Sequence, residues 1–352
     1  MADETLKAAV LGLGHEGHLL LEALRATDDF QITAVADLDP QRVERVARDF
    51  RCEPFTDYRQ LIVQNQLDCL FVAADIHVCD DHLKTAFKKH FHVLKLAPPA
   101  RDFEEVLEYV RLAEAQDAQF AIANPARFRS SYQQARALLA EGQIGPVSLV
   151  TAYGHISNAD RPAWYSDPKL AGGGVLLHDC HQIIDQILWN FPIPQQVYAV
   201  ITNQAPDKQQ RLYLTEDTAV VSMKFAEALT ANIVATRRSD VATSETGLTL
   251  YGKDAVLSVT DSTVTLTMGN AQESQTWHYE ESEQEVMERL LASFAGSIRK
   301  PDEHPLVSTG DENLGNMAVF ESAYLSGRTG FPEEPARILR ITGNPSGTAT
   351  TI

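Results

Sequence analysis

The first third of the chain alternates between short apolar runs and longer stretches with helical spacing. Helical patterns follow the runs, most clearly at 17–28, 40–50, 77–90 and 102–117. Strands that alternate with helices predict βαβ units and a parallel sheet, and the run at 67–75 is apolar throughout, as in a strand buried on both faces. The strand-like runs are 7–14, 31–39, 67–75, 91–97 and 118–124.

The pattern changes after Asn124. One helical stretch, 130–143, precedes a series of runs in which polar and apolar residues alternate. This alternation indicates an antiparallel sheet with one covered face. A helix is predicted at 175–190, and two more near 283–298 and 311–326. The alternating runs are 147–156, 196–203, 218–226, 228–238, 246–260 and 262–268.

These patterns divide the chain into three parts. Residues 1–123 are predicted to form a nucleotide-binding domain with a doubly wound parallel sheet, and residues 124–340 an α/β substrate and oligomerisation domain. Residues 341–352, with the sequence ITGNPSGTATTI, are predicted to be a disordered tail. A chain of 352 residues is long enough for two such domains.

Composition and charge exclude several partner classes. The formal net charge of −18 opposes binding to nucleic acid and to anionic membranes. No apolar stretch approaches the roughly 20 residues of a membrane span, and the N-terminus lacks the pattern of a signal peptide. The four cysteines show no CxxC or metal-ligand spacing, which indicates free thiols. A cytoplasmic protein without a metal site is therefore expected.

The sequence GLGHEG directly follows the first predicted strand and opens the first predicted helix. This is the context that a G-x-G-x-x-G dinucleotide motif requires. Gly12 permits the tight turn, Gly14 permits close approach of a pyrophosphate, and Gly17 permits close packing of helix and strand. The predicted binding residues in this turn are Gly12, Leu13, Gly14, His15, Glu16 and Gly17.

Asp37 ends the second predicted strand, where a carboxylate accepts hydrogen bonds from the adenosine ribose. A carboxylate there repels a 2′-phosphate, and neither Leu38 nor Asp39 supplies a compensating cation. NAD is therefore predicted in preference to NADP. A glycine turn and a helix-capping aspartate without any ligand are the alternative interpretation.

Several motifs in order give the chain a family resemblance. It resembles the glucose–fructose oxidoreductase, inositol dehydrogenase and MocA-type (Gfo/Idh/MocA) family from Lys7 to about Pro335. The motifs are GLGHEG (12–17), AVADLDP (34–40), FVAADIH (71–77), HVLKLAPPA (92–100), PARF (125–128), the segment 161–185, EDTAVVSMKF (216–225) and SGRTG (326–330).

The resemblance implies a nicotinamide-dependent oxidoreductase that acts on hydroxyl or carbonyl groups of sugars, polyols or their derivatives. It also implies a Rossmann domain followed by a domain with a large, open, mainly antiparallel sheet. In the family that sheet often packs on the sheet of another subunit, so a homodimer or homotetramer is expected. Further cofactor contacts are implied at Leu38, Ala73, Ala74, Asp75, His77, Lys95 and Pro98.

The catalytic lysine of the family E-K-P motif is absent from its usual position. With Pro98 aligned, Leu96 and Ala97 stand at the glutamate and lysine positions. Lys95 points to the same side of an extended strand as Ala97 and is about 6–7 Å further back. Two interpretations remain open: Lys95 is a desolvated lysine that takes part in proton transfer, or it lies on the rim against cofactor or solvent.

The motif that follows Gly172–Gly174 also departs from the family. Alignment on these glycines and Asp185 places His178 at the family aspartate position and Gln182 at the family histidine position. In one continuous helix His178, His181, Gln182 and Asp185 would share a face, and Asp185 could orient His181. His178 and His181 are therefore candidate acid–base residues, and internally hydrogen-bonded histidines are the alternative.

Three more residues are candidates through the family resemblance, along with Gln182 as a substrate contact. Arg127 matches a position near the substrate, although a salt bridge is equally compatible with the sequence. Trp164 could wall the substrate site or be a core aromatic, and His77 could contact the cofactor or begin a helix. The altered motifs leave two alternatives to a dehydrogenase: a non-catalytic dinucleotide-binding regulator, or an NAD-dependent glycosidase.

Overall fold

A computed structural model of the protein describes residues 5–157, 161–204, 214–238, 243–269 and 273–342. The chain divides into two units. The first contains the chain up to Ala100 together with Glu104–Pro125 and Ser282–Asn313. The second contains Arg101–Phe103, Ala126–Glu281 and the chain from Leu314 onward. No helix of the described residues is both long and apolar enough to cross a membrane.

The first unit is built on a parallel sheet with the strand order β3-β2-β1-β4-β5-β6. This is the doubly wound order of dinucleotide-binding domains, so the predicted fold class is confirmed for this unit. The strands are β1 (Leu6–Leu11), β2 (Phe30–Ala36), β3 (Glu53–Phe55), β4 (Cys69–Val72), β5 (His92–Leu96) and β6 (Phe120–Ala123). The helices are α1 (His15–Ala26), α2 (Pro40–Phe50), α3 (Tyr58–Gln64), α4 (Asp80–Lys88) and α5 (Phe103–Ala115).

One strand of this sheet was not predicted. Strand β3 has only three residues, one of them Pro54, which is too short to show a period. It pairs in parallel with the end of β2, from Ala34 to Ala36. Its position at the edge of the sheet explains why proline is tolerated there.

The second unit contains an eight-stranded sheet with the order β14-β13-β12-β11-β7-β10-β9-β8. The sheet is mainly antiparallel, as predicted, but β10 runs parallel to β7. The polar, largely exposed strand β14 was not predicted. The strands are β7 (Val147–Ser157), β8 (Gln196–Thr202), β9 (Thr218–Lys224), β10 (Thr230–Arg238), β11 (Glu245–Gly252), β12 (Ala255–Thr260), β13 (Thr263–Met268) and β14 (Ser274–His278).

The helix predicted at 175–190 is interrupted. A π-helical turn (Val175–Asp179) ends at Cys180, and the α-helix α8 begins at His181. The prediction of one continuous helix is therefore wrong. The wider π turn and the non-helical Cys180 change the angular spacing of the side chains. The other helices are α6 (Ser130–Ala140), α7 (Pro168–Ala171), α9 (Glu283–Arg299), α10 (Gly310–Thr329) and α11 (Pro335–Leu339).

The single boundary before Asn124 does not describe the whole division of the chain. Ser282–Asn313, which contains α9, belongs to the first unit. There Phe294 of α9 meets Phe71 of β4 edge to face, with ring centroids 5.9 Å apart. Arg299 also forms an ion pair with Asp29. Residues 343–352, most of the predicted tail, lie outside the described residues.

Candidate functional site

The glycine-rich turn between β1 and α1 has a separate structural reason for each glycine. Gly12 has φ +85°, and a Cβ there would lie 2.4 Å from the backbone nitrogen of Ala74. A Cβ on Gly17 would lie 2.0 Å from the carbonyl oxygen of Gly12. A Cβ on Gly14 meets no atom within 4 Å. Two glycines are thus required by the protein's own packing, while Gly14 leaves room that a ligand can use.

The start of α1 faces that room. Gly14 is its N-cap, and no side chain caps the helix. His15 and Glu16 in the first turn are exposed. Leu13 is only 3% exposed, so a ligand in this turn would meet its backbone rather than its side chain. The N–H groups and the dipole of such a helix start are suited to a pyrophosphate.

Asp37 is held at the end of β2 by several donors. Its carboxylate accepts hydrogen bonds from the backbone N–H of Leu13 at 2.7 Å and of Asp39 at 3.0 Å. Arg42 of α2 lies 3.2 Å from both carboxylate oxygens. Sequence reasoning considered only Leu38 and Asp39 as sources of a cation here and missed Arg42, which α2 brings back five residues along the chain.

Leu38 lies beside a groove in the first unit. Its side chain is 62% exposed, as expected for a residue that has no core to enter. The groove has a volume of about 640 Å³ and lies between the start of α3 and one face of α4. Its lining combines aromatic and cationic groups, including Tyr58, Arg59, His82 and Lys88.

The segment after β4 passes close to the glycine turn. The backbone N–H of Ala73 donates to the carbonyl of Leu11 at 2.8 Å, and the backbone of Ala74 lies against Gly12. Asp75 is exposed, and His77 is half-buried in a 3₁₀ turn (Ile76–Val78). The structure thus brings the carboxyl ends of β1, β2 and β4 together, where doubly wound folds bind ligands.

Lys95 is a buried lysine at the end of β5. Its side chain is only 3% exposed, so it does not lie against solvent, while a contact with the cofactor stays a prediction. Its Nζ donates to the carbonyl oxygens of Leu96 at 3.1 Å and Pro98 at 2.8 Å, beside the cis Ala97–Pro98 peptide bond. Burial lowers the pKa of Lys95, while the nearby Cys79, Glu16 and Glu105 act in the opposite direction and raise it.

Glu216 organises the turn after Gly172–Gly174 in the second unit. Its carboxylate accepts from the backbone N–H of Gly174 at 2.8 Å and of Leu176 at 3.0 Å, and from the hydroxyl of Tyr324 at 2.9 Å. A Cβ on Gly174 would lie 1.9 Å from the carbonyl oxygen of Glu216. Sequence reasoning missed this role, although an acidic residue before the strand pattern of β9 was visible.

The four polar residues predicted to share a helix face do not form one group. His178, half-buried in the π turn, has its Nε2 2.9 Å from the carbonyl oxygen of Ala171. His181 is 1% exposed and stacks on Phe320 with ring centroids 5.5 Å apart. The exposed Gln182 accepts a hydrogen bond from the backbone N–H of Ala126 at 3.1 Å. The break at Cys180 separates the two histidines into different surroundings.

Asp185 belongs to a buried ion pair. Arg127 donates to its two oxygens through Nε and Nη2, each at 2.8 Å, and Asn316 donates to Oδ1 at 2.9 Å. Arg127 and Asp185 are 3% and 0% exposed, so the salt-bridge interpretation of Arg127 fits better than substrate contact. The carboxylate of Asp185 thus accepts from three donor groups.

Trp164 lies in a short 3₁₀ turn (Ala163–Ser166) and is half-buried. Its ring centroid is 5.5 Å from that of Tyr165 and 5.8 Å from that of His178. These contacts place Trp164 beside the π turn, where it could form one wall of a substrate site. Within the described residues, no group of three or more His, Cys, Asp or Glu side chains is arranged to hold a metal ion.

Two regions of the chain match family descriptions. Residues 6–124 match an oxidoreductase family with an NAD-binding Rossmann fold, named GFO_IDH_MocA. Residues 132–258 match the GFO/IDH/MocA C-terminal domain. The two matches cover most of both units that the fold contains, in the order that the resemblance predicted.

Individual curated relatives share only low sequence identity with this chain. The chain is 26% identical over 186 residues to 2,7-anhydro-N-acetylneuraminate hydratase of Escherichia coli (strain K12), a region that covers 52% of this chain and 50% of that protein. It is 22% identical over 244 residues to glucose-6-phosphate 3-dehydrogenase of Bacillus subtilis (strain 168), covering 66% and 68%. The chain therefore spans only about half the length of some curated relatives that it matches.

A solved structure supports the fold over nearly the whole chain. The WlbA dehydrogenase of Bordetella pertussis, determined with NADH and UDP-GlcNAcA, superposes with a TM-score of 0.80 at 17% identity. The superposition covers 94% of this chain and 99% of that one. At this identity the likeness concerns the fold alone.

Proposed function

We infer that this protein, which belongs to the GFO/IDH/MocA family of oxidoreductases, transfers a hydride between NAD and a carbinol or carbonyl carbon of a sugar, polyol or sugar derivative. The observation that carries this proposal is the glycine turn with its open space at Gly14, next to a carboxylate at Asp37. The relatives named as sugar dehydrogenases, including the Bacillus subtilis enzyme, support the substrate class.

The first unit contains the residues that would hold NAD. The start of α1 and the backbone at Gly14 would bind the pyrophosphate, and Asp37 would accept from the adenosine ribose. The adenine would lie beside Leu38, where the groove offers room. When bound, the nicotinamide supplies the hydride acceptor or donor, and the protein supplies orientation and proton handling.

Lys95 is the proposed proton-handling residue. Burial lowers the pKa of Lys95, so its Nζ exchanges a proton more easily than that of an exposed lysine. The carbonyl oxygens of Leu96 and Pro98 fix its position and would stabilise the ammonium that forms. His178 is the second candidate. It ranks above His181 because His181 is almost fully buried and stacked on Phe320.

A non-catalytic regulator that binds the dinucleotide is the alternative function. The presence of Leu96 and Ala97 at the glutamate and lysine positions of the family motif, and of Gln182 at the histidine position, favours it. An NAD-dependent glycosidase is the third possibility, favoured by the likeness to a hydratase of an anhydro sugar. The two alternatives predict different results. A regulator would bind the dinucleotide without turnover, and a glycosidase would cleave glycosides without net formation of NADH.

The experiment compares NADH formation by the wild type, Lys95→Met and Lys300→Met on a panel of sugars, inositols and sugar acids. Lys300 is an exposed lysine that follows α9 in the first unit and serves as the matched control. We expect Lys95→Met to lower kcat by about 10²–10⁴-fold, the usual contribution of a general acid or base, and Lys300→Met to leave it unchanged. Equal rates in all three would move the proton role to His178, to be tested with His178→Gln.

Absence of turnover on the whole panel, in wild-type protein that binds NADH by calorimetry, would contradict the dehydrogenase proposal and favour the regulator. Release of the aglycone from aryl glycosides without NADH accumulation would favour the glycosidase. The same protein preparation serves for all three outcomes, which differ in whether NADH, an aglycone or neither product is formed.

Self-association through the large sheet is part of the proposal. Val200, Val220 and Val234 lie side by side on β8, β9 and β10 and are 40–56% exposed, with Tyr198 and Tyr251 also exposed. An apolar face of this kind is covered in most proteins. We expect a homodimer or homotetramer by light scattering, shifted to smaller species by Val220→Lys but not by Val63→Lys on α3. A cytoplasmic location stays a prediction.

A further inference from the structure

A cluster of two arginines, a tyrosine and an aspartate lies in the second unit at the carboxyl ends of two parallel strands. Strands β7 and β10 run in the same direction and pair up to Ile156–Arg237 and Ser157–Arg238. Arg237 stands at the end of β10, and Asp179 ends the π turn. We call Arg161, Tyr165, Asp179 and Arg237 the arginine cluster.

The aspartate is enclosed by three donors. Arg161 donates to Oδ1 of Asp179 at 2.5 Å, and Arg237 donates to Oδ2 at 2.5 Å. The hydroxyl of Tyr165 donates to Oδ2 at 2.8 Å and accepts from Arg237 at 2.7 Å. The guanidinium carbons of Arg161 and Arg237 lie 4.6 Å and 4.5 Å from the centre of the Tyr165 ring. Both arginines are thus fixed in position before any ligand arrives.

The cluster has donors that its own members do not use. Two guanidinium groups face the carboxylate of Asp179, and the buried Glu216, outside the cluster, acts on Arg237 through its charge. The buried Nε of Arg237 has no hydrogen-bond partner in the described parts of the chain. The side chain of Arg161 is 35% exposed, against 9% for Arg237. Arg161 therefore presents its guanidinium group to solvent, and Arg237 and Asp179 position it.

The cluster adjoins the side chains already considered for substrate contact. The rings of Tyr165 and His178 are 4.6 Å apart, and Trp164 precedes Tyr165 in the chain. A sugar beside His178 and Trp164 would bring a substituent within the range of a long arginine side chain. The exposed guanidinium group of Arg161 would then lie beside that sugar rather than on a remote surface.

We propose that the arginine cluster binds the carboxylate of an acidic sugar, with Arg161 as the direct contact. This proposal rests on the proposed oxidoreductase function and narrows its substrate class to uronates, aldonates or related sugar acids. Guanidinium groups match carboxylates in geometry and form strong charge-assisted hydrogen bonds. Because the carboxylates of Asp179 and Glu216 already act on Arg237, a ligand with one negative charge suits the cluster better than a phosphate ester, which carries close to two at neutral pH.

The test measures binding rather than turnover. Calorimetry with NADH-saturated protein compares matched sets of hexoses, hexuronates, aldonates and hexose 6-phosphates. We expect at least one sugar acid to bind about tenfold or more tightly than its neutral counterpart, the scale of hydrogen bonds to a charged group. Arg161→Gln should abolish that difference, and Arg161→Lys should retain part of it. Arg328→Gln, at an exposed arginine of the same unit, is the matched control.

The outcomes separate this inference from the proposed function. Acids that bind no more tightly than neutral sugars, in a protein that oxidises a neutral sugar, would overturn the inference and leave the function standing. Acid binding that depends on Arg161 without any NADH formation would support the inference and count against the dehydrogenase. Phosphates that bind as tightly as carboxylates, or an unchanged preference in Arg161→Gln, would overturn the carboxylate assignment.

Discussion

The glycine turn of the first unit and the glycine turn of the second unit differ in how their geometry is made. At Gly12–Gly17 the contacts are between backbone atoms: Gly12 against Ala74, and Gly17 against the carbonyl of Gly12. At Gly172–Gly174 the backbone also requires glycine, because Gly172 has φ +77° and a Cβ on Gly174 would lie 1.9 Å from the carbonyl oxygen of Glu216. There, however, the carboxylate of Glu216 also accepts hydrogen bonds from the backbone N–H groups of Gly174 and Leu176. The first turn thus relies on backbone contacts, while the second also relies on a side chain from a distant part of the sequence.

This difference fits the departures from the family motif that are expected after Gly174. A positive φ or the lack of room for a Cβ allows only glycine, so the glycines of both turns tolerate little variation. The π turn that follows is held by a carboxylate acting on backbone N–H groups, which leaves its side chains free to differ. His178 stands in that turn, whereas Gln182 lies in α8.

The largest expected effect comes from the buried ion pair of the second unit. Arg127→Met would remove two donors and the positive charge that face the buried carboxylate of Asp185, and should lower the free energy of unfolding by about 3–5 kcal/mol. Urea denaturation measures this loss. Arg328→Gln is the exposed control. A loss below about 1 kcal/mol would contradict a structural role and return Arg127 to the list of substrate contacts.

The glycines of the first turn should separate stability from binding. Gly12→Ala forces a left-handed conformation on alanine and a clash with Ala74, so it should cost roughly 2–5 kcal/mol of unfolding free energy. Gly14→Ala has room for its Cβ and should cost less than about 1 kcal/mol.

The same pair is then compared for NADH affinity. Gly14→Ala should weaken binding by about tenfold or more, because the added methyl group occupies the space that a pyrophosphate approaches. Wild-type affinity in Gly14→Ala would show that the open space is not the phosphate site.

A smaller effect is expected at the ribose end of the first unit. Arg42→Ala would leave the charge of Asp37 uncompensated, so NADPH should bind about tenfold more weakly while NADH changes little. The ratio of the two dissociation constants by calorimetry is the measurement. Arg45→Ala, an exposed residue of the same helix, is the control. An unchanged ratio would mean that Arg42 does not influence the choice of cofactor.

The smallest effect concerns the pH dependence of stability. Burial lowers the pKa of His92, whose Nδ1 accepts the backbone N–H of Gln119 at 2.9 Å. The unfolded chain therefore binds more protons below about pH 6.5, and stability falls as the pH falls through that value, by at most about 1.4 kcal/mol per pH unit. His92→Gln should reduce this slope in urea titrations at several pH values, and His278→Gln should not. A slope identical to wild type in His92→Gln would contradict the assignment.

Local pattern was enough to determine much of the first unit. The alternation of strands and helices, the glycine turn and the carboxylate at Asp37 all follow from short stretches of sequence, because periodicity and backbone conformation are local properties. The alternating runs likewise indicated the open sheet of the second unit, although not its parallel pair β7 and β10.

Tertiary structure decided the features that depend on residues far apart in the chain or on the exact path of the backbone. It brought Arg42 back to Asp37, folded Lys95 onto Leu96 and Pro98, and added Ser282–Asn313 to the first unit. It also broke the helix at Cys180 and joined Arg161 and Arg237 around Asp179. A sequence pattern records which residues are polar, but the partner of each buried charge is fixed only when distant segments pack and remove it from water.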